Sequence, residues 1–351
     1  MRRGRVIALD RLAGRPAAAL LENGRLEDLS LDPPAKDPAP RPEAIYRARI
    51  DRVAPALGAA FLDLGGGARG WLRGAGEARP GETRLVQASR WADPGKAAPL
   101  TERPVLKGAL VLLTPGAPGV NLSRAVKGRE LRERLAALGE EALGSGADGT
   151  GLVLRTAAAE AEPEAVRAEI AALLDAWTGV AADPRPAPAL LRPAPDAPTR
   201  ALRDWADPGA DAIDDHPGAF ERLGVLDALE ALRTPRAPLP DGGWMSVEAT
   251  SAVVAVDVNT GEDFSKGAAQ RANLAACAEL PRQLRLRGLG GVVLLDPAPI
   301  RKGARQGVDA ALRRAFADDP VDTQIAGWTP LGNVELQRRR ERRPLTELLD
   351  G

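Results

Sequence analysis

The sequence predicts a multidomain chain of mixed α+β and α/β class, on the strength of three features. AVVAVDV and GGVVLLD are short β-branched apolar runs of the kind that form buried parallel strands, and the segment between them reads as a crossover helix. IYRARIDRVAPALGAAFLDLGGGARGWL alternates apolar and polar residues over several short strands with glycine-rich turns, the pattern of a small barrel. GALVLLTPGAPGVNLSRAV, GRELRERLAALGEEALG, TGLVLRTAAA and AEPEAVRAEIAALLDAWTGV alternate strand-like and amphipathic helical segments, which fits an α/β layer.

Taken in chain order, VIALDRLAGRPAAALLENGRLEDLSLDPP reads as two strands around a turn supplied by Asn23 and Gly24. Pro33 to Pro42 form a proline-rich linker. A five-stranded OB-type barrel fits the interval from about Ile45 to Leu106, and the α/β unit runs from about Lys107 to Pro195. From about Thr199 the pattern is first helical and then turn-rich. From about Ser246 to the end lies the unit that contains AVVAVDV and GGVVLLD.

In a βαβ unit the strand carboxyl ends point the same way, so Asp257 and Asp296 meet at the crevice where open α/β sheets bind ligands. Two converging carboxylates, with Asn259 two residues beyond the first, supply the hard oxygen ligands and hydrogen-bonding groups that suit Mg²⁺ beside a phosphate. Aspartates also end buried strands simply because a carboxylate accepts loop N–H groups, and spacing alone leaves both roles open.

Composition removes other chemistries. With 48 basic and 48 acidic residues the formal net charge is zero, so any nucleic-acid contact must come from local basic patches. RRRERR, from Arg338 to Arg343, is one candidate, although such runs ordinarily form a solvated helix or tail. A single cysteine and a single histidine exclude a disulfide framework and a Cys₄ or Cys₂His₂ zinc site within one chain. A reducing, cytoplasmic compartment fits, since no run reaches membrane-spanning length and MRRGRVIALD lacks a secretory apolar stretch. His216, in the turn-like DDHPG, reads as a surface loop residue rather than a general base, and Cys277, in NLAACAEL, as a small buried hydrophobe.

DVNTG from Asp257, PRQLRLRGLGG from Pro281 and VVLLD ending at Asp296 resemble the catalytic core of the ribonuclease E/G family. In those endoribonucleases a DVN-S/T-G strand end, a helix closing in RQLRLR-x-LGG and a second strand ending in Asp build the Mg²⁺ site. The resemblance extends over nearly the whole chain. IYRARIDR, AAFLD and GWL are similar to the family's RNA-binding OB module. That match implies that Phe61 and Trp71 face single-stranded RNA and that Lys96 approaches its backbone. Read from the residues alone, Phe61 serves either as core or as base contact, whereas Trp71 sits at a glycine-flanked edge that favours contact. LVLRTAAA places Arg155 and Thr156 where the family holds the five-prime monophosphate of its RNA, chemistry that a guanidinium and an adjacent hydroxyl suit. LGNVELQRRRERR implies that Arg338 and Arg340 line the RNA path, with Glu335 in the same segment.

The resemblance further implies an RNase H-like subdomain from residues 1–44 and 196–245, carrying as insertions an OB-fold domain at 45–106 and a five-prime-end sensor at 107–195. A DNase I-like catalytic subdomain at 246–351 follows. The implied activity is Mg²⁺-dependent endonucleolytic cleavage of single-stranded RNA, a ribosomal, transfer or messenger RNA precursor, with Mn²⁺ as an alternative ion and no zinc. Asp257 and Asp296 are the implied metal ligands and Asn259 the third catalytic residue. The chain departs from the family in having no Cys-x-x-Cys link, which implies a monomer or dimer not joined by zinc. It also has Pro297 and Pro299 where the family commonly has an aromatic residue and a second aspartate. These departures motivate a rival expectation, a non-catalytic RNA-binding protein on the same scaffold. A weaker one is a metal-dependent phosphoesterase acting on DNA or small nucleotides.

Overall fold

A computed structural model of the chain describes residues 4–93, 95–144, 149–183 and 188–350. The chain forms two compact units, one built from Met1–Pro34 with Ala212–Gly351 and the other from Ala35–Asp211.

The second unit begins with the barrel. Strands Ile45–Ala54, Ala59–Gly65, Ala68–Arg73, Ala98–Thr101 and Thr83–Ala88 are hydrogen-bonded in that order, and the last returns to the first, closing the sheet. Closure leaves no free edge among the five, as an OB-type barrel requires. The period-2 alternation fills the interior: Ala60, Leu62 and Leu64 turn inward with Leu72, Val86 and Leu100, while Phe61 and Trp71 belong to the opposite parity. A four-stranded sheet follows in the order Gly119–Leu122, Thr150–Leu154, Val111–Pro115, Leu106–Lys107. Helices Arg129–Leu143 and Pro163–Ala181 share its core through Leu135, Leu138, Val166 and Ile170. Each shows the apolar stripe that its sequence periodicity predicts.

The first unit contains two sheets. In the smaller, Arg5–Leu12, Arg15–Glu22 and Arg25–Leu31 form an antiparallel meander, and Ala212–Asp214 pairs in parallel with the first of them. The opening segment is thus three strands rather than the expected two. Ala13 and Gly14 make a second tight turn inside RLAGRP, which lacks the usual Asn-Gly signature of a hairpin. The larger sheet has six strands in the order Arg236–Pro238, Trp244–Ala249, Val253–Asn259, Gly291–Asp296, Val334–Arg338, Thr323–Trp328. Its central pair is parallel and is joined by the helix Ala268–Arg287, the expected βαβ unit.

That helix packs on one face of the large sheet only. Ala272, Ala276, Cys277, Leu280 and Leu284 meet Val254, Val256, Val258, Val293 and Leu295 in a single core with Val308 and Leu312 of the helix Arg305–Ala317. The arginines of PRQLRLR are structural. Arg282 donates to the Leu26 carbonyl at 2.6 Å, Arg285 to Asp319 at 2.5 Å, and Arg287 to the Leu232 and Thr234 carbonyls at 2.9 and 2.8 Å. They fasten the crossover helix to the small sheet and to neighbouring loops of the same unit.

Candidate active site

Asp257 and Asp296 are direct register partners across the parallel pair. Adjacent strands lie about 4.8 Å apart and paired residues point to the same side, so the two carboxylates stand next to each other. Alternation decides which side. Val256, Val258 and Leu295 turn into the core, and Asp257 and Asp296 turn out to an open sheet face shared with Ala255, Glu335 and Gln337.

Asn259, on the same face, donates from Nδ2 to Asp257 Oδ2 at 2.6 Å. This bond orients the carboxylate and leaves the second amide N–H and the amide oxygen for other partners. The loop beyond it is braced. Arg271 donates to Asp263 Oδ2 at 2.5 Å and to Ser265 Oγ at 2.8 Å. Hydrogen bonds from Ser265 and then Arg271 hold the Asp263 carboxyl below the usual range.

The donor set is small. Among the described residues no three or more His, Cys, Asp or Glu side chains are grouped closely enough to hold an ion by themselves. Two carboxylates and an amide fit Mg²⁺, which keeps several waters and binds through one or two carboxylates plus substrate phosphate. They do not fit a cage for zinc or calcium.

The turn after Asp296 is fixed by a residue the sequence reading did not single out. Asn273, buried in the crossover helix, donates to the Ala298 carbonyl at 2.8 Å and accepts the Ala298 N–H at 2.8 Å. Both polar groups between Pro297 and Pro299 are thereby satisfied. The signal was present, since an asparagine on the apolar face of a helix needs a specific partner. Trp244, opposite Asn259 in register, and Arg236, whose guanidinium lies 4.6 Å from its ring centre, also went unmarked.

The remaining expected residues divide. Phe61 and Trp71 are cross-strand partners on the outside of the barrel, both half-buried and outside its core cluster. Arg52 lies 4.7 Å from the Phe61 ring centre and Arg73 lies 5.9 Å from that of Trp71, giving a basic–aromatic stripe. Exposed Lys96, in the loop leading to the strand beside Trp71, pairs with Asp93 at 3.1 Å. Half-buried Arg155 donates from Nη1 to the Gly108 and Arg203 carbonyls at 2.7 and 3.3 Å, and Thr156 Oγ1 lies 3.2 Å from Ser123 Oγ.

Arg338 is corrected by the structure. It is 2% exposed, pairs with Asp319 at 3.0 Å and donates to Thr323 Oγ1 at 2.7 Å, so it cannot line a surface path. Its parity along the strand, set with Val334 and Leu336, points it inward. Arg340 remains exposed and donates to the Gly290 carbonyl at 3.3 Å. His216 is exposed beside Asp214 and Asp215, as a surface loop residue should be. Buried Cys277 has its thiol pushed up to about 12 by burial.

The chain is similar to known proteins over most of its length. The family model described as "Ribonuclease E/G family" matches residues 105–216 and 211–341. Ribonuclease E of Haemophilus influenzae is 29% identical over 92% of this chain and 40% of its own length. Ribonuclease E of Synechocystis is 31% identical over 87% of this chain and 53% of its own, and ribonuclease G of Escherichia coli 26% over 87% and 74%. The chain therefore spans only about one third to one half of the ribonuclease E relatives it matches. No helix among the described residues is long and apolar enough to cross a membrane. A family match that takes in both strand-end aspartates, the crossover helix between them and the Arg155–Thr156 segment makes this chain a member of the ribonuclease E/G family.

Proposed function

We propose that this chain is a metal-dependent endoribonuclease that cuts single-stranded RNA. The observation that carries the reading is the side-by-side placement of Asp257 and Asp296 on an open sheet face, with Asn259 bonded to the first. Asp257 and Asp296 would hold a Mg²⁺ ion, or Mn²⁺ in its place. Bound there, it would supply an activated water and stabilise charge on phosphorus. Asn259 keeps the Asp257 carboxylate in one orientation and presents its second amide N–H to a phosphate oxygen. His216 takes no part, being engaged with Asp214 and Asp215 on an exposed loop.

Residues 45–106 then act as the RNA-binding barrel. Phe61 and Trp71 stack on unpaired bases at about 1–3 kcal/mol each, and Lys96 and the adjacent arginines meet the backbone. Residues 107–195 act as the five-prime-end sensor. Arg155 Nη2 and Nε, without protein partners among the described residues, take a terminal monophosphate together with the Thr156 hydroxyl. We read the two sheets of the first unit as the RNase H-like and DNase I-like parts, and a cytoplasmic RNA precursor as the substrate.

The test uses purified protein with a single-stranded AU-rich RNA and its DNA equivalent, in Mg²⁺ or EDTA, beside Asp257→Asn. Cleavage of RNA that requires Mg²⁺ and falls about 100-fold or more in the variant is expected, the loss of a group worth several kcal/mol at the transition state. Metal-independent products, or undiminished cleavage by the variant, would remove the two-aspartate mechanism. Binding without cleavage would favour a non-catalytic RNA-binding protein.

A further inference from the structure

We propose that Trp244, together with Arg236, forms a nucleobase-stacking subsite on the same sheet face as Asp257 and Asp296. The identity of its ligand rests on the ribonuclease reading above. Trp244 is opposite Asn259 and Ser246 is opposite Asp257, so Trp244 is the diagonal neighbour of Asp257. Such neighbours are about 7–8 Å apart, within reach of an indole. Across this face the side chains run Arg236, Trp244, Asp257, Asp296 on four successive strands.

Three properties set this tryptophan apart from a core residue. Its strand neighbours Met245 and Val247 belong to the hydrophobic core, whereas Trp244 is half-exposed and is not among the hydrophobics packed against it. Trp328 of the same sheet is packed there and donates its indole N–H to Asp309 at 2.8 Å. The Trp244 indole N–H has no protein partner among the described residues. Finally, its contact is a cation: the Arg236 guanidinium lies 4.6 Å from the ring centre and, among the described residues, forms no ion pair. A flat aromatic surface beside an exposed, unpaired guanidinium is matched to a base and its phosphate. On the strand next to that of Asp257 and about 7–8 Å from it, Trp244 holds a base that belongs to a nucleotide next to the bond being cut.

The test is equilibrium binding by the full chain, in EDTA so that nothing is cleaved. The probe is a single-stranded RNA of about ten nucleotides carrying one 2-aminopurine moved along its length. The expected result is quenching at one position that Trp244→Ala abolishes, with affinity falling about tenfold, and that Trp244→Phe keeps in part. Arg236→Gln, at an exposed residue, is expected to weaken both the quench and the affinity. It also guards against a Trp244 variant that unfolds. A quench profile and affinity unchanged in Trp244→Ala and Arg236→Gln overturn the proposal. Quenching that depends on Trp244 in a protein that never cleaves RNA with Mg²⁺ sustains the subsite and sinks the nuclease reading. Cleavage without such quenching does the reverse.

Discussion

Arg338 and Arg340 are two positions apart in one basic run and have opposite fates. Arg338 neutralises Asp319, whose side chain is fully buried and also paired with Arg285. Arg338→Ala leaves a buried carboxylate with one partner. The expected loss is about 3 kcal/mol of unfolding free energy, the low end for a broken buried pair because Arg285 stays. Urea denaturation measures it, with RNA affinity of the folded variant unchanged. A variant that keeps its stability and loses affinity would restore Arg338 to the RNA path. The pair Asp28 and Arg342 gives a pH signature. Burial alone would raise the Asp28 carboxyl, but the Arg342 charge and hydrogen bond, then Arg285, outweigh it and hold the group below its ordinary value of 3.8. A carboxyl depressed in the folded state contributes its stability above the unfolded pKa and loses it as pH falls through the folded one. Asp28→Asn is therefore expected to be less stable than the parent protein at neutral pH. The gap should narrow below about pH 4, read from urea midpoints across that range.

The crossover helix Ala268–Arg287 organises the site from both of its ends. Near its start Asn273 pins Ala298, and so the turn that follows Asp296. Asn273→Ala leaves a buried N–H and carbonyl without partners, at about 1–3 kcal/mol for each group. The expected outcome is a lower thermal midpoint together with reduced cleavage, and an unchanged midpoint would show that water or a loop shift replaces the side chain. At its other end the helix stops at Gly288, where an added Cβ would lie 2.0 Å from the Arg343 carbonyl. One at Gly290 would lie 2.5 Å from that of Arg339. GLGG is thus the groove along which the arginine-rich segment runs. That packing explains why the segment is not a free basic tail: Arg339 pairs with Asp322, Arg342 with Asp28 and Arg343 with Glu347.

Over the whole molecule, 48 positive and 48 negative charges leave no long-range field to draw in RNA. On the proposed function, RNA affinity depends on local contacts, and its logarithm should fall against the logarithm of salt concentration by about 0.7 for each phosphate neutralised on a single strand. Lys96→Ala is expected to lower that slope by about one such step, measured by titration at several salt concentrations. An unchanged slope would mean that Lys96 stays with Asp93, 3.1 Å away, when RNA binds.

The strand-end aspartates, the crossover helix and the barrel were legible because each is written in local periodicity, of 2 for strands and 3.6 for the helix. The apolar runs AVVAVDV and GGVVLLD marked two strands ending in Asp257 and Asp296, whereas the structure showed that one face of the pair is open and carries both aspartates with Asn259. What local patterns do not encode is which distant segment covers a given face. Only the tertiary structure separated the buried Arg338 from the exposed Arg340, joined Asn273 to Ala298 and set Trp244 opposite Asn259. Each of these depends on register and packing between segments far apart in the chain, where one residue of shift exchanges the core face for the open one.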